Sequence, residues 1–199
     1  MIFLVKNGKS LKSIESAIRN SAKALSDCFS GGGKLLLCGN GGSCADCEHI
    51  AGELIKQFSI KRPLSEEIVT KLGPELSTEL HGGLPALSLP SMIGFHTAFN
   101  NDDNPAFAFA QQVIAFGKAG DVLWGISTSG NSKNVIHAVN TAKALGLSTI
   151  GLCGEDGGQL AQLADYVIKA PACEVAAIQE LHLPIYPSIC KFVEDEIFS

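Results

Sequence analysis

Residues 34–58 read KLLLCGNGGSCADCEHIAGELIKQF, and this stretch decides the fold. Lys34 to Cys38 is a short apolar run, suited to a strand buried on both faces. Gly39-Asn40-Gly41-Gly42 follows, a loop whose glycines permit positive φ and let the backbone approach a ligand closely. Ser43 stands where an N-cap belongs, and residues 44–58 read as a helix. A buried strand, a glycine-rich turn and a helix N-terminus make an anion site, because free N–H groups and the positive end of the helix dipole point at the incoming charge. The helix also carries His49 and Glu53, four apart and so on one face, with Asp46 three residues before His49. That spacing puts an acid–base or metal pair one to two turns behind the cradle. Neither half is decisive alone. A glycine turn is commonly only a turn, a His/Glu pair is commonly a solvated one, and the spacing is neither a Walker loop nor G-x-G-x-x-G.

A second cradle lies downstream. Asp121–Ile126, DVLWGI, is another buried run, and Ser127-Thr128-Ser129-Gly130-Asn131-Ser132 follows it directly, ahead of a helix over 133–145. The hydroxyls of Ser127, Thr128, Ser129 and Ser132 suit phosphate oxygens, although such residues also fill turns and caps generally. Working outward, residues 10–30 repeat apolar side chains at helical spacing and stop at Gly31-Gly32-Gly33. Residues 59–83, with Pro63 and Pro74, read as a long connection with short helical turns. Further strands are predicted at 84–89, 148–152 and 166–169, and further helices at 92–100, 105–116 and 158–163. Residues 172–198 read as largely helical, interrupted by Pro184 and Pro187. This alternation predicts one α/β domain over residues 1–199, with a doubly wound, five-stranded parallel sheet and ligands at the carboxyl ends of its strands.

Composition narrows the function classes. With 46% hydrophobic and 18% charged residues, the chain has the make-up of a compact domain, not a disordered one. A net charge of −5 without a basic block argues against nucleic-acid binding. No apolar stretch is long enough to span a membrane and the N-terminus lacks a signal-peptide layout, so a cytoplasmic protein is expected. Cys44-x-x-Cys47 has no second cysteine pair to complete a zinc site, and reads as apolar filling on the helix.

CGNGGSCADCEHIAGEL, the polar NND at 100–102, GDVLWGISTSGNSKNVIHA and IQELHLPIYPSIC together make the chain resemble the sugar isomerase (SIS) domain family, in particular its phosphoheptose isomerases. The resemblance covers nearly the whole chain. It implies a five-stranded parallel sheet between helices (flavodoxin-like), a homotetramer with sites between subunits, and interconversion of sedoheptulose 7-phosphate with glycero-manno-heptose 7-phosphate. By position it assigns Ser43, Ser127, Thr128, Ser129 and Ser132 to the phosphate, with Gly41 and Gly42 in the same cradle. Asn40 and Asp102 fall to the sugar hydroxyls, Glu53 to the catalytic base, and Gln179 to the reacting end. It also implies zinc on His49, Glu53, Gln179 and a second histidine.

The chain departs from the family at that last position. The family's catalytic histidine lies eight residues after the glutamine, where this sequence has Pro187. A proline has neither a proton to give nor a lone pair for a metal. His182 is about 140° round a regular helix from position 187 and is no obvious substitute. His49, Glu53 and Gln179 are expected to converge on one point with Pro187 facing them. Two readings follow: an isomerase with Glu53 as base and an altered acid, or a non-catalytic sugar-phosphate-binding or scaffold protein resembling the family's DnaA initiator-associating member.

Overall fold

The computed structural model describes residues 5, 6 and 9–198; the outer limits of the expected domain, residues 1 and 199, lie outside them. Strands β1 (Val5–Lys6) and β2 (Lys9–Ser10) form a small antiparallel ladder. The first helix, α1 (Glu15–Ser30), therefore starts later than residue 10, after a 3-10 turn at Lys12–Ile14. The main sheet consists of β3 (Leu35–Gly39), β4 (Ala86–Ser88), β5 (Val122–Ile126), β6 (Ser148–Cys153) and β7 (Tyr166–Lys169). Its order is β4-β3-β5-β6-β7, and every pairing is parallel. The predicted α/β class and strand positions hold within one or two residues at most ends. β4 is shorter than predicted because Leu89-Pro90-Ser91 turns into a 3-10 helix.

Side chains alternate across the sheet, as strand geometry requires. Leu35, Leu37, Val122, Trp124 and Ile126 face the core beneath α1, α2 (Gly42–Ile55) and α8 (Val175–Phe198). Leu36, Cys38 and Leu123 face the opposite core, beneath α5 (Ala108–Phe116) and α6 (Lys133–Ala144). Apolar burial on both faces is what excludes polar residues from β3 and β5. The remaining helices are α3 (Glu66–Glu79) and α4 (Ile93–Asp102), neither with a buried residue, and the short α7 (Leu160–Leu163), whose Leu160 joins the second core.

Two expectations are corrected here. Residues 59–83 hold two helical segments longer than the one or two short turns expected: Ser65 caps α3 by accepting from the Ile68 N–H, and the non-helical Gly73 (φ 75°) ahead of Pro74 divides it. Pro184 and Pro187 do not interrupt α8, which runs unbroken from Val175 to Phe198. Burial of Ile178, Leu181, Ile185, Ile189 and Val193 against the first core holds the helix through both lost backbone bonds. Among the described residues no helix is long and apolar enough to cross a membrane.

One buried ion pair ties α2 to α8. Arg62 and Glu194 are both fully buried, with Nε to Oε1 at 2.9 Å. Arg62 also donates to the carbonyls of Leu54 and Glu53, at the open end of α2. Glu194 accepts from the Phe58, Ser59 and Ile60 N–H groups and from the Ser59 hydroxyl. Burial pushes the Glu194 carboxyl up, but the bonds from Phe58, Ser59 and Arg62 outweigh it and hold the carboxyl at about 2. Because the folded value lies below the unfolded one near 4.5, the stabilisation is complete above pH 4.5 and is lost as pH falls through 2. The span corresponds to about 3 kcal/mol. Urea unfolding between pH 5 and 2 should show that loss in the wild type. Glu194→Gln should lack it and be roughly 3–5 kcal/mol less stable at pH 7, since Arg62 is then buried unpaired.

Candidate active site

The strand order places the site. It reverses direction between β3 and β5, where Gly39 pairs with Ile126, so the loops that follow both strands emerge side by side. Asn40 and Asn134 join them by a reciprocal amide pair, each Nδ2 donating to the other's Oδ1 at 2.9 Å. Asn134 is a site residue that the sequence reading missed, since an asparagine in a first helical turn carries no signal of its own.

Both helices at this point start without a side-chain cap. α2 begins one residue before Ser43, from Gly41 at φ 55° and ψ −120°. Ser43 is thus not the N-cap; it lies inside the first turn, 4% exposed, with its N–H on the Asn40 carbonyl. At α6 the N-cap is Ser132, whose hydroxyl meets that of Ser127 at 2.9 Å instead of capping its helix. The Ser43 and Cys44 N–H groups bond to the Asn40 and Gly41 carbonyls and that of Val135 to Asn134 Oδ1, so among the first-turn N–H groups those of Gly42, Lys133 and Asn134 are available to an anion. Ser129 shapes the turn by accepting from the Asn131 N–H. Gly130 is required here: at φ 65° it carries the turn, and a Cβ would lie 2.0 Å from the Gly157 carbonyl oxygen. Thr128 and Ser129 open onto a cleft of about 240 Å³ with Gly154, Glu155 and Ile178.

α8 runs alongside α2 and meets it three times. A Cβ on Gly42 would lie 2.4 Å from the Gln179 Nε2, so the glycine admits Gln179 to the cradle. One turn on, the fully buried His182 meets Asp46, Nδ1 to Oδ2 at 3.1 Å. That burial removes His182 as an accessible acid. Beyond it, the Tyr186 hydroxyl meets His49 Nδ1 at 2.7 Å, and His49 Nε2 lies 3.3 Å from Glu53 Oε1. Burial, with Asp46 nearby, pushes the Tyr186 hydroxyl well up. Tyr186 was also missed, although its place four residues after His182 puts both on one face.

The structure brings the predicted residues together as two groups. Asn40, Gly41, Gly42, Ser43, Ser127, Thr128, Ser129, Ser132 and Gln179 gather at the paired loops. His49 and Glu53 pair farther along α2, Gly42 and His49 being ~10 Å apart along the axis. Gln179 therefore does not converge with them. Pro187 lies about 80° round α8 from Gln179, whereas Tyr186 lies about 20° the other way. Asp102 is exposed at the end of α4, accepting from Asn101, with no hydrogen bond to the loops among the described residues.

The zinc expectation can be tested on these donors. His49 Nε2 and Glu53 face each other, and Tyr186 holds the other imidazole nitrogen, as a metal ligand requires. Yet no group of three or more His, Cys, Asp or Glu among the described residues is placed to hold a metal, Gln179 is two turns away, and Pro187 offers nothing. Two donors do not fit a zinc with four protein ligands within one chain. Cys44 and Cys47 are free thiols, and burial pushes the Cys47 thiol well up, so the pair fills space.

A family model for the SIS domain matches residues 7–83 and 83–154, and the chain belongs to that family. The relatives it resembles include phosphoheptose isomerases. That of Crocosphaera subtropica is 44% identical over 86% of this chain and 78% of its own length. That of Clostridium acetobutylicum is 37% identical over 98% and 88%. Among solved structures, the phosphoheptose isomerase of Neisseria gonorrhoeae superposes with a TM-score of 0.77 at 34% identity, covering 93% of this chain and 89% of its own. That of Francisella tularensis gives 0.79 at 31%, covering 93% and 88%.

Gly130→Ala tests the cradle geometry. Its strained φ alone should cost about 1–3 kcal/mol, and the clash with Gly157 should displace the 127–132 loop. Urea unfolding should show the loss, and calorimetry should show weaker phosphate binding.

Proposed function

We propose that the protein is a phosphoheptose isomerase, interconverting sedoheptulose 7-phosphate and D-glycero-D-manno-heptose 7-phosphate through an enediol. The observation that carries this reading is the pair of uncapped helix starts at one switch point, with His49 and Glu53 set back along the first helix. The substrate's phosphate is on C7 and its reacting carbons are C1 and C2. An anion cradle and an acid–base pair separated along one rigid helix suit such a molecule.

The phosphate lies between Ser43 and the 127–132 loop, held by first-turn N–H groups and by hydroxyls that add no charge. Asn40 and Gln179 line the path of the sugar. Glu53 abstracts the proton next to the carbonyl and returns it to the neighbouring carbon. Asp102 reaches the sugar from a second copy, in a homotetramer whose sites lie between subunits. The reading is supported by exposed apolar side chains, among them Ile55 at 54%, Ile93 at 74% and Leu183 at 45%.

Two variants test it. Ser127→Ala with Thr128→Ala should weaken sugar-phosphate binding with the fold intact, since hydrogen bonds to a charged partner are each worth about 1.5–3 kcal/mol. Unchanged affinity in calorimetry would place the phosphate elsewhere. Glu53→Gln should lower turnover of sedoheptulose 7-phosphate by roughly 10²–10⁴ while leaving phosphate affinity near wild type.

A further inference from the structure

Position 187 carries no acid, yet α8 delivers another polar group to the acid–base pair one residue earlier. Tyr186 is 1% exposed, its hydroxyl is 2.7 Å from His49 Nδ1, and its ring meets the imidazole edge-on at 5.3 Å. Asp46, which lies near it, is engaged by His182. His49 is the only hydrogen-bond partner of the Tyr186 hydroxyl among the described residues. The His49 side chain itself is 52% exposed, open to a substrate.

These contacts choose a tautomer. If Nδ1 carried the proton and donated to Tyr186, the buried phenol hydrogen would have no acceptor, and the bare Nε2 lone pair would face the Glu53 carboxylate at 3.3 Å. If Tyr186 donates to Nδ1, the phenol is satisfied, and Nε2 carries the proton on the side of the Glu53 carboxylate, 3.3 Å away, where the two attract. The charged imidazolium would again leave the phenol hydrogen buried without an acceptor.

We propose that Tyr186 fixes neutral His49 with its Nε2–H outward, so that His49, and no group at position 187, donates the hydrogen bond to the substrate's carbonyl oxygen. Tyr186 is a positioning residue in this scheme, and the scheme rests on the isomerase reading above. As substrate enters, the long Nε2–H contact moves from Glu53 to O2, which frees the carboxylate to act as base. Glu53 takes a proton from C1, and the C1–H electron pair becomes the C1–C2 double bond. O2 gains the negative charge under the His49 bond. The O1 proton passes to O2, C1=O forms, and Glu53 returns its proton to C2. Atoms and charge balance, and no oxidant is needed. A neutral imidazole is a sufficient electrophile for such chemistry when its tautomer is fixed.

Imidazole ¹⁵N shifts of the full-length protein test this, with the His49 signal assigned by its loss in His49→Gln. The wild type should show the Nε2–H tautomer, and Tyr186→Phe, which keeps the ring, should show a mixture. The same variant should lose about tenfold in kcat on sedoheptulose 7-phosphate with KM within about twofold. Activity should survive chelation, and Pro187→His should change kcat by no more than about threefold. An Nδ1–H tautomer in the wild type would overturn the proposal even if Tyr186→Phe failed to fold. Unchanged kcat in Tyr186→Phe, activity lost to chelator and restored by zinc, or a gain of roughly a hundredfold from Pro187→His would do the same. A wild type inert toward the sugar phosphate would sink the isomerase reading, while the tautomer would still decide the role of Tyr186.

Discussion

The parallel pairing of β3 with β5 is the constraint on which the molecule depends. It aligns Gly39 with Ile126, so two turns that are distant in sequence leave the sheet at one level and on one side. The meeting of the two loops follows from that register. A slip of one residue would turn Leu35, Leu37, Trp124 and Ile126 to the wrong face, so two buried cores enforce it. The amide pair of Asn40 and Asn134 then has only to hold what the sheet has already aligned.

The second organising contact is the side-by-side course of α2 and α8. Residues 42, 46 and 49 of one helix meet 179, 182 and 186 of the other in order, so the sheet supplies the cradle and this helix pair supplies what lies behind it. Arg62 and Glu194 hold the far end, where Glu53 sits. His49 and Glu53 thus lie on a helix braced along its length by α8 and at its far end by the ion pair.

The fold was largely legible in the sequence because two of its inner strands, β3 and β5, are uninterrupted apolar runs that end in a glycine- or hydroxyl-rich turn. The two loops were legible for the same reason, since Gly41 and Gly130 mark positions where only a glycine suits the backbone. What escaped depends on long-range packing. Tyr186 looks like one more apolar position until α2 is laid beside it, and Asn134 looks like an ordinary helix residue until the opposite loop presents Asn40. Pro187 drew attention as a missing group, while helix rotation turned its neighbour toward His49. The prolines also suggested a break, because propensity is local and the apolar face that overrides it is not.

The Arg62–Glu194 and His49–Tyr186 contacts close loops of more than 130 residues. Pairings so distant in sequence form late, because loop closure must precede the contacts that reward it. The two turns after β3 and β5 need only β3, β5 and β6 and their neighbours, whereas the contact of Tyr186 with His49 needs α8 docked. During synthesis from the N-terminus, the emerging chain thus acquires both turns, with His49 and Glu53, well before the helix that brings Tyr186 to His49.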